Sequence, residues 1–153
     1  CDPAPAGSDD FGHGLRQAEH YFAGTDFAAI VRQLEQAKGD AWAQATAATL
    51  RQRSPLMLHV VLRQIRSGRA LSYAQNIYRE RVMVHHCFHP EHLGRAPRHS
   101  EVIEGIRALV IDKDQRPLWQ PERVEDVTPE MAEGFFTEVW RPGDHPLRQL
   151  LQP

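Results

Sequence analysis

Histidines and one thiol crowd a short stretch near the middle of the chain, and such side chains are typical metal ligands. The members are His85, His86, Cys87, His89 and His92, with His99 nearby. His85 and His89 are four residues apart, so on a helix they would share a face, which is a spacing that zinc and copper sites use. No matching second pair of ligands follows elsewhere, and Pro90 would end the helix. Imidazolium groups also complement the C-terminal end of a helix dipole. The pattern therefore favours a histidine-rich helix end, with a metal site as the less favoured alternative.

Glu80 is the second candidate, because the helix predicted around it carries an apolar stripe into which Glu80 falls. The stripe consists of Tyr73, Ile77, Val84 and Phe88. A carboxylate buried there would have to be paired or hydrogen-bonded. It could be a general acid or base with a raised pKa. The favoured interpretation is a structural partner for an arginine, with Arg107 as the candidate.

Signatures of nucleophilic, phosphate-binding or dinucleotide chemistry are not visible in the sequence. Cys87 has histidines beside it, but neighbouring positions on a helix point apart, so adjacency does not make a catalytic pair. No two glycines are adjacent, so we find no phosphate-cradling loop and no nucleophile elbow. We assign no catalytic residue and no metal ligand, and any cofactor-binding residue is unknown.

The segment from Glu104 to Pro121 has the most specific pattern in the chain. It reads Glu-Gly-Ile-Arg-Ala-Leu-Val-Ile-Asp-Lys-Asp-Gln-Arg-Pro-Leu-Trp-Gln-Pro. Gly105 inside a helix costs about 1 kcal/mol relative to Ala, so we expect a close contact with another helix there. The acidic residues and prolines after it predict a stiff loop that fastens the chain to its own core.

The elements that must position these residues are predicted to be helical almost throughout. Capping residues begin successive helices at Thr25 and Asp26, at Asp40, at Ser54, at Ser72, at Ser100 and at Thr128, and Ser72 with Gln75 predicts a capping box. The last of these helices is predicted to run to about Val139. Inward-facing apolar residues are expected at Leu58, Val61, Leu62 and Ile65, and again at Val102, Ile103, Ile106, Leu109 and Val110. We therefore predict an all-α fold of about six helices with one ordered Pro/Trp loop. The expected organisation is a flexible linker over 1–14, a helical domain over 15–141 and a loose tail over 142–153.

Composition narrows the classes of partner. The formal net charge of -2 and the pI of about 6.5 provide no basic field for nucleic acid or an acidic membrane. No apolar run approaches the roughly 20 residues needed to span a bilayer. Two cysteines, Cys1 and Cys87, do not make a disulfide framework, so we expect a cytoplasmic protein. Because the chain begins with Cys and not Met, we expect a fragment or a processed product, with a lipoprotein tether as an alternative.

At these residues the chain resembles the C-terminal region of 3-hydroxyisobutyryl-CoA hydrolases, which belong to the enoyl-CoA hydratase/isomerase (crotonase) superfamily. The pattern is EG-x-RA-x-x-IDKD-x-x-P-x-W-x-P, matched by Glu104, Gly105, Arg107, Ala108, Ile111, Asp112, Lys113, Asp114, Pro117, Trp119 and Pro121. Further similarity lies at Ser54-Pro55, at Leu62-Arg63-Gln64, and at Val127, Thr128, Phe135 and Phe136. Glu80 and Arg81 fall where the family has a Glu-Tyr-Arg run, and the Tyr is missing here. The resemblance covers about Phe22 to Phe136.

The resemblance implies a parent enzyme that hydrolyses a branched hydroxyacyl-CoA in valine breakdown, or a relative that acts on another acyl-CoA. The family's oxyanion-hole amides and acidic catalytic residues lie in an N-terminal core that this sequence does not contain. The motif residues Glu80, Glu104, Gly105, Arg107, Asp112, Lys113, Asp114, Pro117 and Trp119 are then expected to be structural. The expected partners are that core and, without it, a second copy of the chain. A non-catalytic helical interaction module is the alternative.

Overall fold

Helices form every regular element in the computed structural model, which describes residues 8–141 and 143–151. The α-helices are α1 (Ser8–Tyr21), α2 (Phe27–Gln36), α3 (Ala41–Arg51), α4 (Pro55–Gly68), α5 (Tyr73–Phe88), α6 (Glu101–Ile106) and α7 (Pro129–Glu133). Single 3-10 turns occur at Pro90–Leu93, Pro97–His99, Val124–Asp126, Gly134–Phe136 and Arg148–Leu151, and a π turn at Arg107–Ile111 follows α6. No strand occurs in the described ranges. The all-α prediction is confirmed, with α1 added to the six predicted helices.

The helix starts agree with the capping residues read from the sequence. Asp26, Asp40, Ser54, Ser100 and Thr128 each accept a hydrogen bond from a backbone N–H in the first turn of the following helix. Ser72 and Gln75 form the complete capping box at the start of α5. These side chains satisfy N–H groups that have no acceptor inside the helix, so each of these six helices begins where the sequence predicts.

The described residues up to Arg53 form one compact unit, made of α1, α2 and α3. Phe27, Ile30, Val31 and Leu34 lie on the buried face of α2. Small residues of α3 are buried with them: Ala43 and Ala47. Asp40 caps α3 and also accepts a hydrogen bond from the Tyr21 hydroxyl at 3.0 Å, so one carboxylate ties α1 to the start of α3.

The second compact unit begins at Ser54 and contains α4 to α7. Its core is formed by Leu56, Val60, Val127, Ala132 and Phe135. Met57, Met83, Cys87, Leu93, Met131 and Phe136 pack around this cluster. The unit therefore holds together through α4, α5 and α7, while the segment from Ser100 to Pro121 joins it through the contacts described below.

Several apolar residues predicted to face the core are exposed instead. On α4, Leu62 is buried, but Val61 and Ile65 are exposed. Along α6 and the π turn, Ile103, Ile106, Leu109, Val110 and Ile111 are exposed, between 37% and 69%; we call these five residues the α6 ridge. The inward orientation predicted for these positions, apart from Ile111 for which none was predicted, is wrong, because periodicity identifies an apolar face without identifying what covers it.

The predicted boundaries of linker, domain and tail stay predictions, and the structure adds local detail at each. Cys1 lies outside the described residues, while α1 begins at Ser8, within the segment predicted as a linker. Within the segment predicted as a tail, His145 is buried and Arg148–Leu151 forms a 3-10 turn. The last predicted helix was expected to reach about Val139, but α7 ends at Glu133 and a 3-10 turn continues to Phe136.

Candidate functional site

Arg107 organises the residues of the sequence motif. Its guanidinium donates to Glu104 Oε1 at 2.8 Å, to Asp112 Oδ2 at 2.6 Å and to Asp114 Oδ2 at 2.8 Å. A further hydrogen bond reaches the carbonyl of Arg116 at 2.9 Å. These three carboxylates raise the pKa of Arg107, and the hydrogen bonds from Arg107 lower the pKa of Glu104 and of Asp114. The guanidinium is thus saturated by its own neighbours.

The loop around Arg107 has an unusual backbone. The Asp112 N–H donates to the carbonyl of Arg107 at 2.8 Å, which widens the chain into a π turn. Lys113 and Gln115 follow in the left-handed region with φ of 56° and 58°. Such a conformation costs a non-glycine residue roughly 1–2 kcal/mol, so the carboxylate contacts of Arg107 must hold it in place.

Gly105 makes a close contact, but with a side chain and not with another helix. A Cβ added at Gly105 would lie 3.4 Å from Cη2 of Trp119. The Trp119 ring therefore lies on the bare backbone of α6, and the predicted helix contact is wrong. Next to it, the Leu118 N–H donates to Glu104 Oε1 at 2.6 Å, so side chain and backbone both fasten the loop to α6.

Glu101 forms a second, more buried centre that sequence reasoning missed. Its side chain accepts hydrogen bonds from the hydroxyl of Ser54, from Arg95 at 3.1 Å and from the N–H of Gln120 at 3.1 Å. Glu101 is 7% exposed, and burial raises its pKa against the opposing effect of these hydrogen bonds. Arg95 also donates to the carbonyl of Gln120 at 2.6 Å. One carboxylate thus joins the start of α4, the start of α6 and the end of the loop.

Glu80 lies outside both centres. It is exposed on α5, and Arg107, its proposed partner, is occupied by Glu104, Asp112 and Asp114. The prediction of a buried Glu80 paired with Arg107 is wrong. The reason lies in the stripe itself, because Tyr73, Val84 and Phe88 are exposed as well. The periodicity was real, but this face of α5 is not covered by the described part of the chain.

The histidines pack on aromatic rings and on each other. His85 and His89 share a helix face as predicted, with ring centroids 4.4 Å apart. His86 is buried and lies 2.8 Å from the carbonyl of Thr137, and His92 lies edge-on to Phe135 at 4.7 Å. Burial is the largest cause that lowers the pKa of His92 to about 4. Within residues 8–141 and 143–151, no group of three or more His, Cys, Asp or Glu side chains is placed to hold a metal ion.

The thiol next to these histidines is not activated. Cys87 packs at the margin of the core formed by Leu56 and Phe135. Burial raises the pKa of Cys87, which keeps the sulfur protonated, whereas a nucleophilic cysteine needs a lowered pKa.

A cavity of about 330 Å³ lies elsewhere in the second unit and is lined by Pro129, Glu130, Glu133, Gly134 and Thr137. Its two carboxylates do not, by themselves, indicate a reaction.

The structure thus brings together the motif residues of the 104–121 segment and leaves Glu80 apart from them. Lys113 lies in the same loop and is exposed, and Pro117 is half-buried in it. The role of these residues as a structural clasp stays a prediction. The only sequence signal for Glu101 was its position directly after the capping residue Ser100, and its partners Ser54 and Gln120 are far away in the sequence.

Of the described helices, none is both long enough and apolar enough to cross a bilayer.

Comparison with known proteins agrees with the resemblance at the motif. The sequence profile of the enoyl-CoA hydratase/isomerase family matches residues 3–136. The chain is 40% identical over 113 residues to the probable 3-hydroxyisobutyryl-CoA hydrolase 2 of Arabidopsis thaliana, which covers 74% of the chain. It is 29% identical over 137 residues to the mitochondrial 3-hydroxyisobutyryl-CoA hydrolase of Dictyostelium discoideum, covering 88% of the chain.

A differently named relative also aligns. The chain is 30% identical over 129 residues to the small ribosomal subunit protein mS47 of Arabidopsis thaliana, covering 82% of the chain. In each case the chain spans a third or less of the relative's own length: 28%, 33% and 30% for these three proteins. Because the family profile covers most of its residues and the identity reaches 40%, this chain belongs to the enoyl-CoA hydratase/isomerase family and is related to 3-hydroxyisobutyryl-CoA hydrolases.

Proposed function

We propose that the chain is the C-terminal helical part of an acyl-CoA enzyme of the 3-hydroxyisobutyryl-CoA hydrolase type. The observation that carries this proposal is the 40% identity to such a hydrolase over a segment that makes up only 28% of it. The parent protein would act on an acyl-CoA, with a hydroxyacyl-CoA of valine breakdown as the first candidate. The cytoplasm remains the expected location of this chain, although the Dictyostelium discoideum relative is named as mitochondrial.

The part described here would have no thioesterase activity alone. Thioester hydrolysis needs donors aimed at the developing oxyanion, and losing one donor costs roughly 3–4 kcal/mol of transition-state stabilisation. The polar groups of the two centres are already committed to partners within the chain: Arg107 binds three carboxylates, and Glu101 accepts from Ser54, Arg95 and Gln120. We assign these groups to shaping the segment and not to the reaction.

The exposed apolar faces support a docking role for the helices. The α6 ridge presents five exposed branched apolar side chains between Ile103 and Ile111, and Arg107 in the same segment holds the loop that follows. Burial of such surface contributes about 25 cal/mol per Å², so a covering partner would stabilise it. We propose that this partner is the N-terminal core of the parent enzyme, and that copies of the chain associate through the same faces when the core is absent.

Complementation in trans tests the proposal. The probable hydrolase 2 of Arabidopsis thaliana would be shortened by the segment that matches this chain, and hydrolysis of 3-hydroxyisobutyryl-CoA would be followed by chromatography. We expect neither the chain nor the shortened hydrolase to exceed the buffer rate greatly, and the mixture to recover activity. Turnover of the thioester by the chain alone would contradict the proposed function.

A matched variant identifies the docking surface in the same assay. Leu109→Gln with Val110→Gln changes two residues of the α6 ridge that are 55% and 63% exposed. We expect this double variant to restore less activity than the unchanged chain at equal concentration. Ala48→Gln, at an exposed position of α3, serves as the control and should restore as much as the unchanged chain.

The relationship to mS47 favours one second candidate, a non-catalytic part of a larger assembly. That relative carries the name of a ribosomal protein while sharing 30% identity over 82% of this chain. The helices would then serve as an interaction module, as the alternative from the sequence proposes. Failure of complementation, together with stable binding of the chain to the shortened hydrolase, would favour this candidate.

A further inference from the structure

Two arginines from neighbouring helices share one aromatic ring. The guanidinium carbon of Arg63, on α4, lies 5.5 Å from the centroid of the Phe136 ring, and that of Arg79, on α5, lies 4.7 Å from the same centroid. Phe136 itself packs against the core of the second unit. Both guanidinium groups therefore lie against one aromatic ring, and that ring is fixed by its packing against the core.

The charges around this ring do not balance. Arg63 forms an ion pair with Glu133. Arg79 donates to the hydroxyl of Ser67, and no carboxylate in the described part of the chain lies within ion-pair distance of it. Its Nε is buried without a hydrogen-bond acceptor. Two guanidinium groups and one carboxylate leave an excess positive charge beside Phe136.

An excess charge in this setting is costly. Removal of a guanidinium from water disfavours its charged form, and a nearby like charge adds to the effect. Both causes act on Arg79, because burial and then Arg63 lower its pKa. An arginine nevertheless stays protonated near neutral pH. Proteins usually meet this cost with an anion, but the nearby carboxylate of Glu133, which raises the pKa of Arg79, is already paired with Arg63.

We propose that Arg63 and Arg79 form a binding site for a phosphate group. Arginine forks match the oxygens of a phosphate, and a phosphate has enough oxygens to accept hydrogen bonds from two guanidinium groups at once. A side-chain carboxylate offers only two oxygens, and Glu133 already supplies one carboxylate to Arg63. The phosphate would lie next to Phe136, with Arg79 and the Ser67 hydroxyl on one side and Arg63 on the other.

The inference is independent of the proposed function, because it rests on the charges around Phe136 and its test measures binding without turnover. The phosphate could be free inorganic phosphate or the phosphate of a nucleotide ester. Isothermal titration of the whole 153-residue chain with inorganic phosphate, coenzyme A and phosphate-free pantetheine separates these sources. Binding of inorganic phosphate without coenzyme A assigns the site to the free ion. Binding of coenzyme A but not pantetheine assigns it to a phosphate ester.

Two variants with opposite expected effects make the test sharp. Arg79→Gln should weaken phosphate binding about tenfold or more, since it removes a charge-assisted pair of hydrogen bonds. Glu133→Gln should strengthen it several-fold, because the competing carboxylate is gone. Arg148→Gln, at an exposed arginine of the 3-10 turn Arg148–Leu151, is the control and should leave the affinity unchanged. Circular dichroism checks that each variant folds.

A purely structural role for the two arginines would not produce this pattern. Loss of folding in Arg79→Gln would leave Glu133→Gln as the deciding variant, because its expected gain in affinity cannot arise from misfolding. The inference is overturned if neither inorganic phosphate nor coenzyme A binds saturably at millimolar concentration. It is also overturned if Glu133→Gln binds phosphate no more tightly than the unchanged chain.

Discussion

Glu101 and Arg107 are both ion-paired, but their surroundings give these contacts different weight. The side chains of Glu101 and Arg95 are only 6% and 14% exposed, whereas the Asp112 and Asp114 partners of Arg107 are 49% and 40% exposed. Exposed pairs contribute about 0–1 kcal/mol because water and salt screen them. Removing one partner of a buried pair is far more costly, because the other charge is left behind. Glu101 should therefore dominate the stability of the second unit's polar contacts.

Substitution of Glu101 tests this ranking. We expect Glu101→Ala to lower the free energy of unfolding by about 3 kcal/mol, since Arg95 loses its carboxylate and three donors lose their acceptor. Glu80→Ala is the matched control, because Glu80 is exposed on α5, and it should change the free energy by less than about 0.5 kcal/mol. Urea unfolding measures both. Equal effects of the two substitutions would contradict the assignment of Glu101 as the buried centre.

The His92 ring packs so closely against Gly134 that an amino acid with a Cβ atom would not fit at this position. A Cβ there would overlap Cδ2 of His92 and lie 3.3 Å from its Cγ. We expect Gly134→Ala to destabilise the chain by about 1–3 kcal/mol, because the His92 ring must leave its place against Phe135. Gly39→Ala is the control, since nothing lies within 4 Å of a Cβ at that position. Thermal unfolding measures the stability of both variants. A Gly134→Ala variant as stable as the unchanged chain would contradict the packing of His92 against Gly134.

Stability should fall in mild acid because of His92. Its pKa is about 4 in the folded chain, against about 6.5 when unfolded. Above the unfolded value both states are neutral and the packing is retained in full. As the pH falls towards 4, the unfolded chain takes up a proton that the folded chain does not, so stability is lost. Because His92 is exposed by more than a third, we expect a loss of only about 1 kcal/mol.

His92→Gln separates this effect from other titrations. Urea unfolding at about pH 7 and about pH 5 would give the free energy of unfolding for the unchanged chain and for the variant. The unchanged chain should lose more stability between these conditions than His92→Gln does. An equal loss in both proteins would show that His92 does not titrate as the structure indicates.

At the scale of elements, the sequence predicted where helices begin far better than which way they face. Caps such as Ser54 and Ser100 act within three residues of themselves, so the local sequence contains the whole signal. The end of α7 was missed, because the helix predicted to run to about Val139 ends at Glu133. The orientation of Val61 or Leu109 depends on what covers the helix, and periodicity contains no information about that.

In the candidate site, too, contacts between residues close in the sequence could be predicted, and contacts between distant residues could not. The partners of Arg107, namely Glu104, Asp112 and Asp114, lie within seven residues of it, so the motif itself contained the cluster. Arg107 was nevertheless assigned to Glu80, because a supposed buried carboxylate needed a cation. Glu101 joins Ser54, Arg95 and Gln120 across up to 47 residues. Such a contact exists only after folding, and a single sequence could not indicate it.

The α6 ridge should contribute nothing to the stability of the isolated chain. Leu109 and Val110 are 55% and 63% exposed, so their replacement by polar residues removes little burial. At a protein concentration low enough for the chain to be monomeric, we expect Leu109→Gln with Val110→Gln to change the free energy of unfolding by less than about 0.5 kcal/mol. Leu56→Ala is the contrasting variant, because Leu56 is 0% exposed in the core, and it should cost about 2–5 kcal/mol. A large loss in the double variant would show that the ridge is packed in solution.

At the scale of the whole molecule, most polar groups of the motif have partners within the chain, but many apolar side chains are left exposed to solvent. The polar motif residues are largely satisfied within the chain, whereas long apolar residues on α4, α5 and α6 remain exposed. Exposed apolar residues that are clustered along one segment, as in the α6 ridge, can mark an interface. The chain spans a third or less of the length of these relatives, and their additional length is consistent with the proposed docking onto further protein.

Without such a partner, the exposed faces should drive association of the chain with itself. Sedimentation velocity over a range of concentrations measures this directly, and we expect the average sedimentation coefficient to rise with concentration. Leu109→Gln with Val110→Gln should reduce the rise, because each change replaces apolar surface by an amide that prefers water. Ala48→Gln, which alters an exposed position of α3, should leave it unchanged. A monomer at every concentration for the unchanged chain would mean that these faces are tolerated in water, and the docking role would then lose its physical basis.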